Sequence, residues 1–374
     1  MITSGKRALL VTYNSNESIE EAKSLASAAD YYVSKTIGHR CINRSKYGVG
    51  KGKAYELKDI ISKENIDFLI IDDVLKPSQL YNLASLCKIN IIDRERLILE
   101  IFERRASNSE SRIQIKMAQL QYEMIRIREK IRLAKIGEQP GFYGLGKYDA
   151  DVSMLDLKSR MNKLKKKLEK EEKRRNLYRQ QRKKMGIPII SLIGYTSAGK
   201  TTLFNYLTGE TKLTGQGLFT TLSTFTRSIK LFNTRILISD TVGFINKLPA
   251  YMIDAFKSTL NELYYSNLIL LIIDISQTIN DIRLRLKSSL DVLDELQIPT
   301  TKILYLLNKS DSIDIKQISI KADQLGLNSY NMVIPISAVT GYNINTLKQK
   351  IASIIYKNSQ LSYNKNMSYY RRIS

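Results

Sequence analysis

Cysteine is scarce in this sequence, and long apolar runs are missing. Only Cys41 and Cys87 occur among 374 residues, too few for a disulfide scaffold or a four-ligand zinc site, so we expect a reducing compartment. The apolar run at residues 8–11 is far shorter than the core of a signal peptide. The longest later run, residues 268–275, has the length of a buried strand and cannot cross a bilayer. The sequence therefore predicts a cytoplasmic protein without a membrane span.

Acidic residues are too few to balance the basic ones. The chain has 59 lysines and arginines against 36 aspartates and glutamates, a formal net charge of +23. A surplus of this size is most simply offset by a polyanion, so nucleic acid or an anionic membrane is the expected partner class. Otherwise the composition, 43% hydrophobic and 25% charged, is that of a globular protein, and the length predicts two or three domains.

Residues 1–105 alternate short apolar runs with polar amphipathic stretches. Strand and helix periods that alternate in this way predict a small α/β domain with a parallel sheet. Three of its five glycines lie in YGVGKGK, residues 47–53, which fits either a phosphate cradle or, more simply, a turn before a helix. Whether this domain binds a second nucleotide stays open.

A long helical period follows in residues 106–185. Apolar residues recur at spacings of three and four in two stretches, which predicts an antiparallel coiled-coil hairpin of two helices: Ile113, Met117, Leu120, Met124, Ile127 and Ile131, then Leu157, Met161, Leu164 and Leu168. The loop between them, residues 137–151, mixes glycines, aromatic residues and lysine. That composition suits a tip that probes RNA and equally a flexible hairpin loop.

The second of these helices holds most of the charge surplus. Residues 158–184 contain 14 lysines and arginines against three glutamates, a local net charge of +11. A charge run is usually a solvated helix face, but a helix that only keeps itself soluble tends to mix signs at a spacing of four. We therefore favour a face that binds RNA phosphates, with the candidate residues Lys165, Lys166, Lys167, Arg174 and Arg175.

The segment GYTSAGKT, residues 194–201, follows a near-continuous apolar run and precedes a helical pattern. It fits G-x-x-x-x-G-K-[ST] in the strand, loop and helix context that this motif requires. Successive backbone N–H groups there can point at a β-phosphate, Lys200 can reach the β and γ oxygens, and the Thr201 hydroxyl can bind Mg²⁺. The predicted phosphate-binding residues are Gly194, Tyr195, Thr196, Ser197, Ala198, Gly199, Lys200, Thr201 and Thr202.

Three further motifs follow, each at the end of an expected strand. Asp240 in ISDTVGF is placed to hold the magnesium shell, and Gly243 can offer its N–H to a γ-phosphate. In LLNKSD, Asp311 is spaced to accept hydrogen bonds from guanine, whereas adenine lacks the 2-amino group that this pairing uses. The predicted guanine-binding residues are Asn308, Lys309, Asp311, Ser337 and Ala338. This order of motifs predicts a P-loop GTPase domain with a mostly parallel sheet over residues 186–358 and a basic tail over residues 359–374.

Together the motifs resemble the HflX family of ribosome-associated GTPases. DRERLILEIFERRASNSESRIQIKMAQLQYE, residues 93–123, resembles the family signature at the end of its N-terminal domain, and LFTTLSTFTR and DTVGF resemble its switch motifs. The resemblance implies that GTP is hydrolysed to GDP with Mg²⁺, and that the protein associates with the large ribosomal subunit and its rRNA in ribosome splitting or rescue. It also makes Thr221, beside Thr220, the switch threonine that binds Mg²⁺ in the triphosphate state. Lys200, Thr221 and Gly243 are then the expected catalytic residues.

Three features depart from that family. Ser197 stands where an asparagine is usual, so potassium dependence stays open. The linker lacks the usual Gly-Pro-Gly-Glu stretch, which leaves the 137–151 loop without a matched equivalent. The extra C-terminal domain of many bacterial members is expected to be missing, and with it some of their ribosome contacts.

Phe244 follows the switch glycine, where many regulatory GTPases have a glutamine that orients the attacking water. A phenyl ring can neither donate nor accept that hydrogen bond, so we expect slow intrinsic hydrolysis that a partner, most simply the ribosome, stimulates. Phe244 can also pack against the core. The leading hypothesis is a monomeric GTPase that remodels the large subunit. The alternative is an RNA-binding or chaperone-like module in which nucleotide only sets conformation, and a P-loop ATPase is disfavoured by NKSD.

Overall fold

The computed structural model describes residues 6–39, 46–106, 108–136, 145–210, 225–232, 234–241, 243–245, 251–252, 263–327 and 332–370. Within these ranges, side chains are described except at residues 130, 133–136, 145–151, 183 and 358–370. The chain forms two compact units: the first holds the described residues up to Glu172 together with Tyr251 and Met252, and the second holds the remainder. The predicted domain boundaries near residues 105, 185 and 358 stay predictions.

The first unit contains a four-stranded parallel sheet in the order β2-β1-β3-β4. Its elements are, in chain order, β1 (Lys6–Tyr13), α1 (Asn16–Ala28), β2 (Tyr31–His39), α2 (Lys51–Glu64), β3 (Phe68–Ile71), α3 (Pro77–Cys87), β4 (Asn90–Asp93) and α4 (Arg94–Arg105). Parallel strands need long crossover connections, and a helix lies in each of these crossovers.

Both faces of this sheet are covered. Leu9 and Val11 point to one face, where they share a hydrophobic core with Leu57 of α2. Ala8 and Leu10 alternate with them and are fully buried on the other face, where α1 contacts β1 and β2, and α4 contacts β4. The predicted α/β fold with a parallel sheet is confirmed for this unit.

The glycine loop before α2 forms a turn. Gly48 has a φ of +77°, and a Cβ there would lie 2.4 Å from Leu75 Cδ2. The positive φ therefore favours glycine here, and a larger residue would also have to displace the end of the Leu75 side chain. Gly50 is the last residue before α2 begins at Lys51. Of the two interpretations of this loop, the backbone shows the turn before a helix.

An ion-pair network fills the carboxyl edge of the sheet. Arg94 donates to the carboxylates of Asp72 and Glu21, and the Thr12 hydroxyl donates to Asp72 Oδ2 at 2.7 Å. These three charged side chains are at most 9% exposed. Burial raises the pKa of Asp72, and the Arg94 guanidinium opposes that rise. Sheets of this kind bind ligands at this edge, where the strand order reverses, and here the protein's own side chains occupy that position.

The linker helices are α5 (Ser109–Ile136) and α6 (Leu145–Lys184). Leu120 of α5 and Leu157 and Met161 of α6 are buried in one cluster. Met124 and Leu164 pack against that cluster from the two helices. The apolar residues of the heptad pattern therefore meet, and the predicted antiparallel hairpin is confirmed.

The loop of the hairpin is shorter than predicted. α6 begins at Leu145, so residues 145–151 are helical rather than part of a loop. Apolar residues at 145, 148 and 152 continue the helical spacing through this stretch, and that period outweighs the single Gly146 that suggested a loop. Residues 137–144, with the rest of the predicted tip, lie outside the described residues.

α5 is also buried on a face that the heptad pattern leaves out. Ile115 and Ala118 lie between heptad positions, yet they are at most 2% exposed. α5 also contacts α3 and α4 of the α/β part of the unit, which accounts for this second buried face. α5 thus packs on two sides, once against α6 and once against the helices that cover the sheet.

The second unit contains a six-stranded sheet in the order β10-β9-β8-β5-β7-β6, parallel except for the antiparallel edge strand β6. Its strands are β5 (Ile189–Gly194), β6 (Phe225–Leu231), β7 (Thr234–Asp240), β8 (Leu268–Asp274), β9 (Ile303–Asn308) and β10 (Val333–Pro335). Its helices are α7 (Lys200–Thr208), α8 (Ile279–Glu295), α9 (Ile315–Gln324) and α10 (Ile344–Tyr370), with 3-10 turns at Thr300–Lys302 and Ser310–Ser312. The predicted mostly parallel sheet is confirmed.

The core of this unit follows from strand composition. All seven residues of β8 are buried, as expected for a central strand covered on both faces.

α10 continues to Tyr370, so the predicted boundary at residue 358 falls inside a helix. Of the helices that the structure describes, not one is both long and apolar enough to cross a membrane.

Glu95, in the first turn of α4, meets a residue from a distant part of the sequence within the first unit. The Tyr251 hydroxyl donates to Glu95 Oε2 at 3.2 Å. Burial raises the pKa of Glu95 from 4.5 to about 7, and the Asp93 carboxylate adds to the rise. The pKa of Glu95 is higher in the folded chain than in the unfolded chain, so folding favours the neutral carboxyl. Its contribution to the free energy of unfolding is therefore full below about pH 4.5 and is lost as the pH rises through about 7.

We expect Glu95→Gln to stabilise the chain at high pH only. At about pH 8.5 the variant should gain roughly 1–2 kcal/mol over the parent, a value reduced for the partial exposure of Glu95. At about pH 4.5 the gain should vanish because the parent carboxyl is then neutral. Urea unfolding at both pH values measures the difference, with exposed Glu20→Gln as the control. An equal gain at both pH values would contradict the assigned ionisation.

Candidate nucleotide-binding site

The sheet of the second unit brings the predicted motifs to one edge. Gly194, Asp240 and Asn308 are the last residues of β5, β7 and β9. These strands are parallel members of one sheet, so their carboxyl ends share an edge. Ligands of such sheets bind outside this edge.

The loop after β5 depends on two glycines with positive φ. Gly194 has a φ of +146°, and a Cβ there would lie 2.3 Å from the Ile272 carbonyl oxygen. Gly199 has a φ of +95°, and its Cβ would lie 2.2 Å from Asn308 Nδ2. Gly199 caps the N-terminus of α7, which starts at Lys200. A tight glycine loop that ends in a helix N-terminus presents backbone N–H groups to an anion.

Lys200 is buried inside this loop. Its Nζ donates to the carbonyl oxygens of Gly194, at 3.0 Å, and Tyr195, at 2.6 Å. Burial lowers the pKa of Lys200 to about 8, and the Asp240 carboxylate opposes that shift. A Cβ on Gly243 would lie 2.9 Å from the same Nζ. The predicted catalytic residues Lys200 and Gly243 are therefore neighbours, and the ammonium group lies where a phosphate at the loop would meet it.

Thr201 and Asp240 form the predicted magnesium pair. The Thr201 hydroxyl donates to Asp240 Oδ2 at 3.2 Å, and Asp240 is fully buried. Hydroxyl and carboxylate oxygens are the ligands that Mg²⁺ prefers, usually with phosphate oxygens and water completing the shell. The two residues therefore fit that ion. Thr221, the third predicted ligand, and its neighbour Thr220 lie outside the described residues.

Asn308 joins the phosphate loop to the guanine motifs. Its side-chain Nδ2 donates to the Ala198 carbonyl at 2.8 Å, and its Oδ1 accepts from the Ala338 backbone N–H at 2.9 Å. Ser337 is fully buried, and its hydroxyl accepts from the Thr340 N–H at 3.1 Å. Asp311 is exposed beside the strand end, so its carboxylate is open to a ligand.

Asp274 is a site residue that the motif analysis missed. It ends β8 and is 7% exposed. Its carboxylate accepts from Lys309 Nζ at 2.6 Å and from the Ser276 N–H at 3.1 Å. The available signal was its position, since it follows a buried strand as Asp240 and Asn308 do.

Phe244 pairs with the phosphate loop through its backbone. Its N–H donates to the Gly194 carbonyl at 3.1 Å, and its carbonyl accepts from the Thr196 N–H at 2.8 Å. The side chain is 3% exposed. Phe244 does pack into the core, and in this conformation its backbone holds the switch segment against the loop.

The RNA-binding candidates differ in exposure. Lys165, Lys166, Lys167 and Arg174 are exposed on α6, whereas Arg175 is half-buried. A half-buried arginine has less freedom to meet a phosphate. The proposed RNA contact on α6 stays a prediction.

Three family models match the chain in succession. Residues 16–103 match GTP-binding GTPase N-terminal, residues 105–182 match GTP-binding GTPase Middle Region, and residues 189–309 match 50S ribosome-binding GTPase. Together these matches account for most of the chain.

Relatives and a solved structure agree with these matches. GTPase HflX of Methanocaldococcus jannaschii is 41% identical over 335 residues, which are 90% of this chain and 82% of the relative. GTPase HflX of Saccharolobus solfataricus is 36% identical over 344 residues, 90% of this chain and 96% of the relative. A GTP-binding protein from Sulfolobus solfataricus, solved in complex with GDP, is 31% identical with a TM-score of 0.51 over 94% of this chain and 99% of its own. The chain belongs to the HflX family of GTPases.

Proposed function

We propose that this GTPase binds the large ribosomal subunit through rRNA, hydrolyses GTP there, and acts in ribosome splitting or rescue. The observation that carries the proposal is the basic face of α6, where lysines 165–167 are exposed. The ribosome-binding description of the family that matches the second unit supports the same partner. Association with ribosomes would place the protein in the cytoplasm, and we propose that it acts as a monomer.

The proposed site roles follow the geometry. GTP and GDP phosphates meet the backbone N–H groups of residues 194–202, and Lys200 contacts the β and γ oxygens. Thr201 and Asp240 would hold Mg²⁺, and Thr221 would join them in the triphosphate state. Mg²⁺ would neutralise charge on the β- and γ-phosphates. The guanine base lies among Asn308, Lys309, Asp311, Ser337 and Ala338.

Lys309 is oriented in this scheme by Asp274. The ion pair between them fixes the ammonium group at the end of β9, while Asn308 positions the neighbouring loops. The base site therefore depends on a buried carboxylate that need not touch the base. We assign Asp274 as a positioning residue.

The proposed catalytic scheme divides hydrolysis between the chain and its partner. Lys200 and the Gly243 N–H meet charge on the γ-phosphate. Phe244 has no side-chain group that can orient water, so slow intrinsic turnover is the expected state. Release of the Phe244 backbone from Gly194 and Thr196 would free the switch to reorder, and the large subunit would stabilise the reordered form.

A second candidate function is an RNA-binding or chaperone-like module in which nucleotide only sets conformation. The same basic face of α6 favours it. The two candidates differ in turnover: a module of this kind would bind the subunit in a nucleotide-dependent way without repeated hydrolysis.

We expect Asp311→Asn to move base preference from guanine to xanthine. The amide offers a donor where guanine needs an acceptor, and xanthine supplies a carbonyl there. GTP affinity should fall about 10- to 100-fold and XTP affinity should rise, both measured with fluorescent nucleotides. Asp314→Asn, an exposed change three residues away, is the control. Equal affinities of the parent for GTP and ATP would refute the assignment.

GTP hydrolysis should be stimulated by purified large ribosomal subunits over many turnovers. The reason is that the chain lacks a water-orienting side chain at Phe244, so the competent switch depends on the partner. Steady-state phosphate release with and without subunits measures this, with Lys200→Ala as the inactive control. A single turnover, or no stimulation at all, would favour the module over the enzyme.

Replacing the five α6 candidates, Lys165, Lys166, Lys167, Arg174 and Arg175, with glutamine should weaken large-subunit binding. Each lost phosphate contact removes about one released counterion, so the salt dependence should flatten and affinity should fall by roughly 1 kcal/mol per contact. Arg175 should contribute least. GTP affinity without ribosomes should not change.

The matched control removes the same charge elsewhere. Five exposed lysines of the first unit are changed to glutamine: Lys23, Lys51, Lys58, Lys63 and Lys88. If both five-fold variants lose affinity and salt slope equally, only net charge matters and the α6 face is not the contact.

A further inference from the structure

A cluster of tyrosines and basic residues lies at the amino ends of β5 and β8, opposite the carboxyl ends that carry the nucleotide-binding motifs. α6 ends at Lys184, and β5 begins five residues later at Ile189. The Ile189 N–H donates to Asn267 Oδ1 at 2.9 Å, and the Asn267 N–H donates to the Ile189 carbonyl at 2.8 Å. These reciprocal bonds fix the segment before β8 to the start of β5.

Two neighbouring tyrosines in that segment are half-exposed. Tyr264 is 54% exposed and Tyr265 is 52% exposed. Their rings meet edge to face, with centroids 5.4 Å apart at 83°. Aromatic side chains of this size usually bury most of their surface. We call Tyr264 and Tyr265 the tyrosine pair.

Cations lie over both rings of the tyrosine pair. The Arg179 guanidinium of α6 is 4.4 Å from the Tyr265 ring centroid. Lys302 Nζ is 5.8 Å from the Tyr264 centroid and donates to the Tyr264 carbonyl at 3.2 Å. Residues 173–184 of α6 contain seven lysines and arginines and no acidic residue. The rings therefore lie beside a run of positive charge.

We propose that the tyrosine pair and Arg179 form a base-stacking site for an unpaired stretch of RNA, whose phosphates meet the cations of residues 173–184. This inference rests on the proposed function and names the form of RNA and the second contact for it. Unpaired bases stack on tyrosine rings and on arginine planes. A duplex keeps its bases stacked inside and would use only the cations.

The exposure of the rings separates this role from a purely structural one. If the contact between Arg179 and Tyr265 served only to hold α6 in place, one covered tyrosine ring would be enough. Here both tyrosines are about half exposed as residues, and Tyr178, one residue before Arg179, is also 50% exposed. A protein partner would meet the same rings, but seven like charges on one helix segment complement a phosphate backbone best.

The site is distant from the nucleotide site along the strands. The tyrosine pair precedes β8, whereas Asp274 ends it. Seven residues of strand span about 23 Å. Substitutions in the tyrosine pair should therefore leave nucleotide affinity unchanged, and that affinity serves as a folding control.

The test uses the full chain with two fluorescent probes. One is an unstructured oligoadenylate of about 12 nucleotides, and the other is an abasic strand of equal length and charge. The double variant Tyr264→Ala/Tyr265→Ala should bind oligoadenylate about 10-fold or more weakly and bind the abasic strand as the parent does. Tyr264→Phe/Tyr265→Phe should retain binding because the rings remain. Tyr81→Ala, an exposed tyrosine of α3, is the matched control.

The outcomes separate this site from the proposed function. An unchanged oligoadenylate affinity in the alanine variant overturns the stacking site, while large-subunit binding and its salt slope test the α6 contact independently. Equal losses for both probes also overturn it, because the rings would then act without bases. Loss of large-subunit binding with every RNA affinity unchanged would assign the tyrosine pair to a protein partner instead. If the alanine variant loses GTP affinity, Arg179→Gln repeats the test with both tyrosines in place.

Discussion

The arrangement of the predicted nucleotide-binding motifs, at the carboxyl ends of β5, β7 and β9, depends on the hydrogen bonds of the Asn308 side chain. It is buried, and its amide satisfies the Ala198 carbonyl on one side and the Ala338 N–H on the other. These two groups belong to the phosphate loop and the last guanine motif, which are separated by 140 residues of sequence. These bonds matter energetically, because a buried polar group left without its hydrogen-bond partner costs about 1–3 kcal/mol.

The position of the Asn308 side chain restricts which residues can lie beside it. Gly199 must lack a Cβ because Asn308 Nδ2 would lie 2.2 Å from it. Gly199 in turn caps the N-terminus of α7, so the helix N-terminus and Lys200 are placed by the same contact. Lys200 then lies among carbonyl oxygens in a buried position that lowers its pKa to about 8. A phosphate at the loop would offset that burial, so nucleotide binding and the charge of Lys200 support one another.

The switch segment meets this edge through backbone rather than side chain. Phe244 exchanges hydrogen bonds with Gly194 and Thr196, and its ring is buried. A buried phenyl ring stabilises one position of the segment without supplying catalytic groups. Phe244 therefore holds the segment in this conformation, and this packing is compatible with the proposal that a partner stimulates hydrolysis.

Sequence reasoning succeeded where a motif is local. The strand, glycine loop and helix at residues 189–208 could be predicted because each step is set by residues within a few positions of it. Asp274 was missed because a carboxylate after a buried strand has no motif of its own and becomes a site residue only through Lys309. The second buried face of α5 was missed because Ile115 and Ala118 lie outside the heptad pattern, and their burial reflects the tertiary packing of a helix that also contacts α3 and α4. Tyr251 is the extreme case, since its partner Glu95 is 156 residues away.

In the sheet of the second unit, the predicted nucleotide site and the tyrosine pair lie at opposite ends of the parallel strands. At the carboxyl ends of the strands, the two hydrogen bonds of Asn308 connect the phosphate loop to the loop after β10. At the amino ends of the strands, the reciprocal bonds of Ile189 and Asn267 hold the start of β5 against the segment that precedes β8. Because the tyrosine pair lies in this fixed segment, its rings lose little conformational freedom when a base binds, and this favours base stacking. The sheet thus separates the predicted nucleotide site from the tyrosine pair by about the length of one strand, so a ligand can occupy either edge without touching the other.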